Sequence, residues 1–230
     1  MKTPISIVKL QDCMEGMRDL PDKFADILIA DPPYGIKESA HRNLSRSKLA
    51  KTKMYRKEFW DLDIPAQEYF NEMFRVSKNQ IIFGINYFIG KIDFPFSAGR
   101  IVWDKVNEGT NFSDCELAYC SFHHSTRLFR FMWNGMMQGT PGNGSVMQGN
   151  KDKNQKRIHP TEKPIDIYKW ILRKYAKAGN IILDPYLGSG SSRIASWDAG
   201  YDFYGFEIDP KFTEDQEQRF QIHISQQRLF

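Results

Sequence analysis

The chain has 230 residues, of which 41% are hydrophobic and 26% charged, with a formal net charge of +4. That is the balance of a soluble globular chain of about one domain, and it excludes collagen-like and disordered classes. No apolar run approaches the roughly 18–20 residues of a membrane helix, and the N-terminus lacks the apolar core of a signal peptide. Three cysteines, Cys13, Cys115 and Cys120, are too few for a disulfide framework and fit a reducing cytosol. No His/Cys cluster has zinc-ligand spacing, so no metal is expected.

Short runs rich in Ile, Val and Phe alternate with amphipathic stretches, which predicts an α/β sheet. In chain order the predicted strands are Ile5–Leu10, Ala25–Ala30, Gln80–Ile85, Arg100–Trp103, Leu117–Phe122, Ile181–Leu183 and Phe203–Ile208. A helix is predicted over Pro164–Ala178, because Ile165, Tyr168, Ile171, Leu172 and Tyr175 recur at helical spacing and Gly179 suits its end. A second runs from about Ser191 to Gly200, and a third follows Pro210 with Asp209 as cap. Residues 35–57 and 134–150 lack periodicity and read as long loops.

The charge is unevenly spread. Residues 36–60 hold eight basic and two acidic side chains, and residues 151–177 hold nine and three. Two basic segments on an acidic remainder suggest a polyanionic partner, although solvated faces would have the same composition.

Two strand ends carry chemistry. Ile181-Ile-Leu-Asp184 runs into Pro-Tyr-Leu-Gly188-Ser-Gly190 and then a helix. Such a turn admits close backbone approach by a ligand. Glu207 ends the following strand, where an acidic side chain typically binds the ribose hydroxyls of an adenosine-containing cofactor. No Gly-Lys-Ser/Thr follows the turn, which disfavours a phosphate-binding NTPase loop. At the end of another apolar strand stands Asp31-Pro32-Pro33-Tyr34. Its two prolines stiffen the backbone that presents the Asp31 carboxylate and the Pro32 carbonyl, and Tyr34 adds an aromatic face. Those two acceptors suit an exocyclic amino group. By taking its N–H hydrogens they would localise a lone pair otherwise delocalised into the ring, while Tyr34 stacks on an extruded base.

Together with His159-Pro-Thr161-Glu-Lys163-Pro164, these motifs resemble those of the amino-methylating DNA methyltransferases that use S-adenosylmethionine. The catalytic tetrapeptide precedes the Gly-rich motif, as in that family's permuted β group. The resemblance spans residues 5 to 209. It implies a doubly wound, seven-stranded Rossmann-like sheet in the family order 3-2-1-4-5-7-6, with strand 7 antiparallel and the chain entering at strand 3. The catalytic residues it implies are Asp31, Pro32, Pro33 and Tyr34. The cofactor would meet Asp12, Cys13, Asp31, Thr161, Lys163, Asp184, Tyr186, Gly188, Ser189, Gly190, Ser191 and Glu207. Asp12 could equally cap a helix, and Lys163 could be a plain surface charge. Tyr186 and Ser191 stand where the family commonly has Phe and Thr.

Expected activity is N6-methylation of adenine in double-stranded DNA, at a specific sequence and after base flipping. Asp at the first catalytic position leans to adenine, and no Pro-Cys supports a 5-methylcytosine enzyme. N4-cytosine, RNA or protein amide methylation are the alternatives, as is a nucleic-acid-binding module with a lapsed site. DNA contacts are expected from Arg42, Arg46, Lys48, Lys51, Lys53, Arg56, Lys57, Arg127 and Arg130. The chain reads as one domain with a basic loop at 35–57 and a small target-recognition insert at 123–158. Within that insert, Phe129, Phe131, Met132 and Trp133 suggest a packed patch or a subunit contact. The expected location is the cytoplasm of a bacterial or phage-infected cell, with a homodimer and a cognate restriction enzyme left open.

Overall fold

The computed structural model describes residues 3–36, 63–93, 97–108, 113–133, 137–141, 155, 157–159 and 161–227. Arg42, Arg46, Lys48, Lys51, Lys53, Arg56 and Lys57, named above as DNA contacts, lie outside the described residues.

The ordered elements are β1 (Ser6–Leu10), α1 (Cys13–Arg18), β2 (Ala25–Ala30), α2 (Gln67–Val76), β3 (Ser77–Phe83), α3 (Ile85–Phe88), β4 (Arg100–Asp104), β5 (Cys115–Cys120), β6 (Thr126–Arg130), β7 (Met132–Trp133), β8 (Gln138–Gly139), α4 (Ile165–Tyr175), β9 (Ile181–Asp184), α5 (Ser191–Asp198), β10 (Asp202–Glu207) and α6 (Pro210–Gln227). Eight strands form one sheet in the order β1-β10-β9-β2-β3-β5-β4-β6, and β7 and β8 form a separate ribbon. From β1 to β3 all neighbours are parallel, whereas β5 runs antiparallel to β3 and β4. No helix among the described residues is long and apolar enough to cross a membrane.

Strand chemistry follows position in the sheet. Central β2 reads Ala-Asp-Ile-Leu-Ile-Ala and is buried almost throughout, as a parallel strand covered on both faces must be. Alternate residues serve opposite layers. Ile27, Ile29, Ile81, Phe83 and Ile182 pack with Ile167, Ile171 and Leu172 of α4. Leu28, Ala30, Ile82 and Leu183 pack with Met17 of α1 and with Phe70 and Met73 of α2. Edge strands β1 and β6 are largely exposed.

Several boundaries differ from expectation for local reasons. Gly84 takes φ +73° directly after Phe83, so the strand predicted to reach Ile85 stops and Ile85 opens α3 instead. Helix α4 starts at Ile165 with Pro164 as its N-cap, and ends at Tyr175 because Ala176 is extended (ψ 150°). Asp209 caps α6 as expected, its Oδ1 accepting from Lys211 N (2.7 Å) and Phe212 N (3.2 Å). The sheet has eight strands where seven were predicted. The added strand, β6, lies parallel to β4 inside the segment read as a recognition insert. Phe129, Phe131, Met132 and Trp133 are buried, and Phe129 sits against Trp170 of α4 (ring centroids 5.6 Å apart). They form a packed patch of the core.

Candidate active site

A cavity of about 520 Å³ opens at the carboxyl ends of β1, β2, β9 and β10. Parallel α/β sheets bind ligands there, because successive loops diverge and leave backbone groups free. Of the cofactor contacts expected above, Asp12, Cys13, Asp31, Thr161, Lys163, Tyr186, Gly188, Ser189 and Glu207 line it, as does Pro33 of the catalytic set.

Glu207 faces the Gly-rich turn across the cavity floor. Its Oε2 accepts from Gly188 N (2.8 Å) and its Oε1 from Asp209 N (2.9 Å). Burial pushes its carboxyl upward, opposed by those N–H donors. Gly188 holds φ +51°, a conformation that side chains rarely adopt. Asp12 lines the cavity, and its Oδ1 also caps α1 by accepting from Met14 N (2.8 Å). The Cys13 thiol is pushed by burial to about 12 and stays protonated, which removes it as a nucleophile.

Three expected cofactor contacts, Asp184, Gly190 and Ser191, and two members of the catalytic set, Pro32 and Tyr34, lie outside the cavity lining. Asp184 is buried, its Oδ1 accepting from Tyr186 N (3.0 Å) and its Oδ2 from Ser192 Oγ (2.5 Å). Burial lifts its pKa to about 7. It braces the turn from below and does not line the cavity. Gly190 starts α5 in the left-handed region (φ +72°). Ser191 is buried beside Arg219, which donates to its Oγ (3.1 Å) and to Ser189 O (2.8 Å). Pro32 is also buried.

Tyr34 is the larger departure. Its ring stacks on Tyr87 (4.9 Å, 15°) and its hydroxyl donates to Asp31 Oδ1 (2.6 Å), so one ring face already has an aromatic partner. Lys163, read above as a cofactor neighbour or a surface charge, is buried. Its Nζ lies 2.5 Å from Asp31 Oδ1, 3.1 Å from Glu116 Oε2 and 3.0 Å from Tyr34 Oη. Desolvation raises the Asp31 carboxyl and the Lys163 ammonium pulls it back.

Glu116, Tyr87, Arg219 and His159 were missed as site residues. His159 appears in the quoted motif. It lines the cavity with its ring on Phe212 (4.3 Å), and burial lowers it to about 4, leaving it neutral. Glu162 of the same motif is buried. It ion-pairs with Arg219 (3.0 Å) while its Oε2 accepts from Ile158 N (2.8 Å). Arg219 thus ties the Gly-rich turn to the segment carrying Lys163.

Of the expected DNA contacts, the two within the described residues, Arg127 and Arg130, are exposed on β6, and Arg130 Nε also bonds Asp104 Oδ2 (2.9 Å).

A mostly parallel sheet covered by helices on both faces, with this cavity at its strand ends, defines an α/β methyltransferase-like fold. The chain belongs to the DNA methylase family, whose model matches residues 102–218. Over 90% of its length it is 22% identical to the type II methyltransferase M.HinfI of Haemophilus influenzae, and the match spans 66% of that relative. Its fold is similar to the crystal structure of the M1.HpyAVI-SAM complex (TM-score 0.52, 18% identity, 94% of this chain and 99% of that one). It is also similar to the PvuII DNA methyltransferase, a cytosine-N4-specific enzyme (TM-score 0.57, 12% identity, 95% and 87% covered).

Proposed function

We propose that the protein transfers a methyl group from S-adenosylmethionine to the N6 amino group of an adenine flipped out of double-stranded DNA. The observation that carries this reading is that Asp31 lines the same cavity as Gly188 and Glu207. That arrangement sets a carboxylate for the target amino group beside a cradle for an adenosine.

The residues present fit that cofactor. A carboxylate offers roughly four acceptor sites, and Gly188 and Asp209 use one on each oxygen of Glu207, which leaves sites for a ribose diol. Asp12, Tyr186 and Ile208 would surround the adenine, and Thr161 and Ser189 would meet the amino-acid end. S-adenosylmethionine, when bound, supplies a methyl carbon on a positively charged sulfur, which an amino nitrogen attacks in line. Asp31 accepts an amino N–H, holds the lone pair toward that carbon and takes up the surplus proton. Cys13, which lines the cavity, is a buried thiol pushed up to about 12, and no Pro-Cys pair occurs in the sequence, so neither supports a covalent cysteine route.

The motif order and the sheet order, in which β1 would be family strand 3 and β9 strand 1, support the permuted β-group reading. A basic loop at 35–57 and the exposed Arg127 and Arg130 are the proposed phosphate contacts, and DNA is the proposed partner.

The test incubates the protein with unmethylated DNA and methyl-labelled S-adenosylmethionine, followed by mass spectrometry of the nucleosides. Labelled N6-methyladenine that disappears in Asp31→Ala is expected. Label on cytosine N4 would keep the mechanism and overturn the choice of base. Label appearing only on RNA or protein would overturn DNA as substrate.

A further inference from the structure

Asp31, on which the proposed chemistry rests, does not stand alone. Lys163 is only 3% exposed and its ammonium has three N–H donors. It donates to the Tyr34 hydroxyl and ion-pairs with both Asp31 and Glu116. Glu116, on β5, is held from its other side by Lys105, whose Nζ lies 2.5 Å from Oε1 and 5.1 Å from the centre of the Trp103 ring. Two carboxylates and two ammoniums therefore alternate in a line from the end of β4 to the end of β2, with no net charge.

That arrangement answers a problem posed by the reaction. Lys163 and Tyr34 both engage Oδ1 of Asp31, so Oδ2 is the oxygen that receives an amino group. An ammonium drawn by Asp31 alone would swing toward that second oxygen and compete with the amino group for it. Glu116 draws Lys163 from the other side and keeps it on Oδ1. We propose that Glu116 is a positioning residue for methyl transfer, holding Lys163 so that the Asp31 carboxylate is free to receive the target amino group. This rests on the reading that Asp31 receives an amino group during methylation.

The charged and titratable groups around Asp31 are Lys163, Glu116, Tyr34, Tyr168 and Asp184. Glu116 raises the Asp31 carboxyl and Lys163 lowers it. Removing the Glu116 charge takes away the first influence and concentrates Lys163 on Asp31, so both effects act downward. Removing Lys105 leaves Glu116 to draw Lys163 away from Asp31, so the shift reverses.

The experiment measures the Asp31 carboxyl titration by carbon NMR in the cofactor-free protein, alongside cofactor affinity and single-turnover methylation of DNA. In Glu116→Gln the Asp31 midpoint should fall. The methylation rate should drop by roughly tenfold to hundredfold, the scale of a misplaced reacting group, with cofactor affinity unchanged. In Lys105→Met the midpoint should rise. A midpoint that is unmoved in the variants, or shifts the same way in both, overturns the proposal. So does a Glu116→Gln rate within twofold of the parent. If Glu116→Gln does not fold, Lys105→Met decides by the direction of its shift. A parent protein that methylates no DNA, while its Asp31 midpoint responds as expected, removes the reading beneath and leaves the charge coupling standing.

Discussion

The ring of Tyr34 lies where the Cβ of a residue at position 84 would stand: a Cβ built on Gly84 falls 2.1 Å from Tyr34 Cε1 and 2.5 Å from Cδ1. Gly84 also holds φ +73°. A glycine just past β3 therefore fixes the ring whose hydroxyl bonds Asp31.

Gly84→Ala should accordingly be a site mutation as well as a stability mutation. Alanine in the left-handed region costs about 1–2 kcal/mol, and overpacking adds about 1–3 kcal/mol. A rigid ring cannot yield as a flexible chain would, so Tyr34 must leave Tyr87 and its bond to Asp31. Thermal denaturation should show the lowered Tm, and methylation should be lost even at temperatures where the variant is fully folded.

Glu207→Gln should separate cofactor binding from folding. The amide oxygen can still accept from Gly188, but the charge and one acceptor are lost. A hydrogen bond to a charged group is worth about 1.5–3 kcal/mol, so the dissociation constant for S-adenosylmethionine should rise roughly tenfold to hundredfold. Calorimetric titration measures it, and a Tm close to the parent's is expected.

His159 and Asp184 should give stability a two-signed pH dependence. His159 falls to about 4 in the fold, from 6.5 when exposed. Between those values the unfolded chain binds more protons, so this contribution to stability is lost as pH drops through that window, by up to about 3 kcal/mol. Asp184 is raised from 3.8 to about 7. Its contribution is complete below 3.8 and is lost as pH rises through 7. Urea denaturation across pH 4–8 should therefore show His159→Phe losing less stability than the parent on acidification. Asp184→Asn should gain on the parent as pH rises.

Replacing Lys51, Lys53, Arg56 and Lys57 by Gln should flatten the salt dependence of DNA binding, by up to about 0.9 in log–log slope per phosphate contact removed. Fluorescence anisotropy from 50 to 300 mM salt reads the slope, and a variant with the parent's slope removes this segment from the DNA interface.

What the sequence made legible was contiguous. Asp31 with its prolines, the Gly188 turn and Glu207 each sit at the end of an apolar run, so the run and the site residue are read together. What it hid comes from distant segments. Glu116 lies in an ordinary strand, and only the pairing of β5 with β3 brings it to Lys163. Tyr87 and Gly84 matter through Tyr34, and Arg219 sits on an amphipathic helix like many surface arginines. For the same reason a motif does not distinguish lining from bracing: Asp184, Gly190 and Ser191 belong to it but lie outside the cavity lining. β6 escaped notice because a single buried side chain, Phe129, leaves no alternation to detect on an edge strand.

The placement of β9 and β10 bears on how the chain reaches its native state. Ribosomal synthesis delivers β1 and β2 early, yet they never pair with each other. The two strands that separate them lie some 150 residues downstream, and Ile27 finds Ile182 only when both have been made. Until then β1 and β2 present unpaired edges, and closing so large a loop is entropically slow. A nascent chain halted before β9 would expose the hydrogen-bonding edges of both β1 and β2, a natural target for chaperone capture. For the same reason, two separately expressed segments divided between β8 and α4 should reassemble by strand insertion.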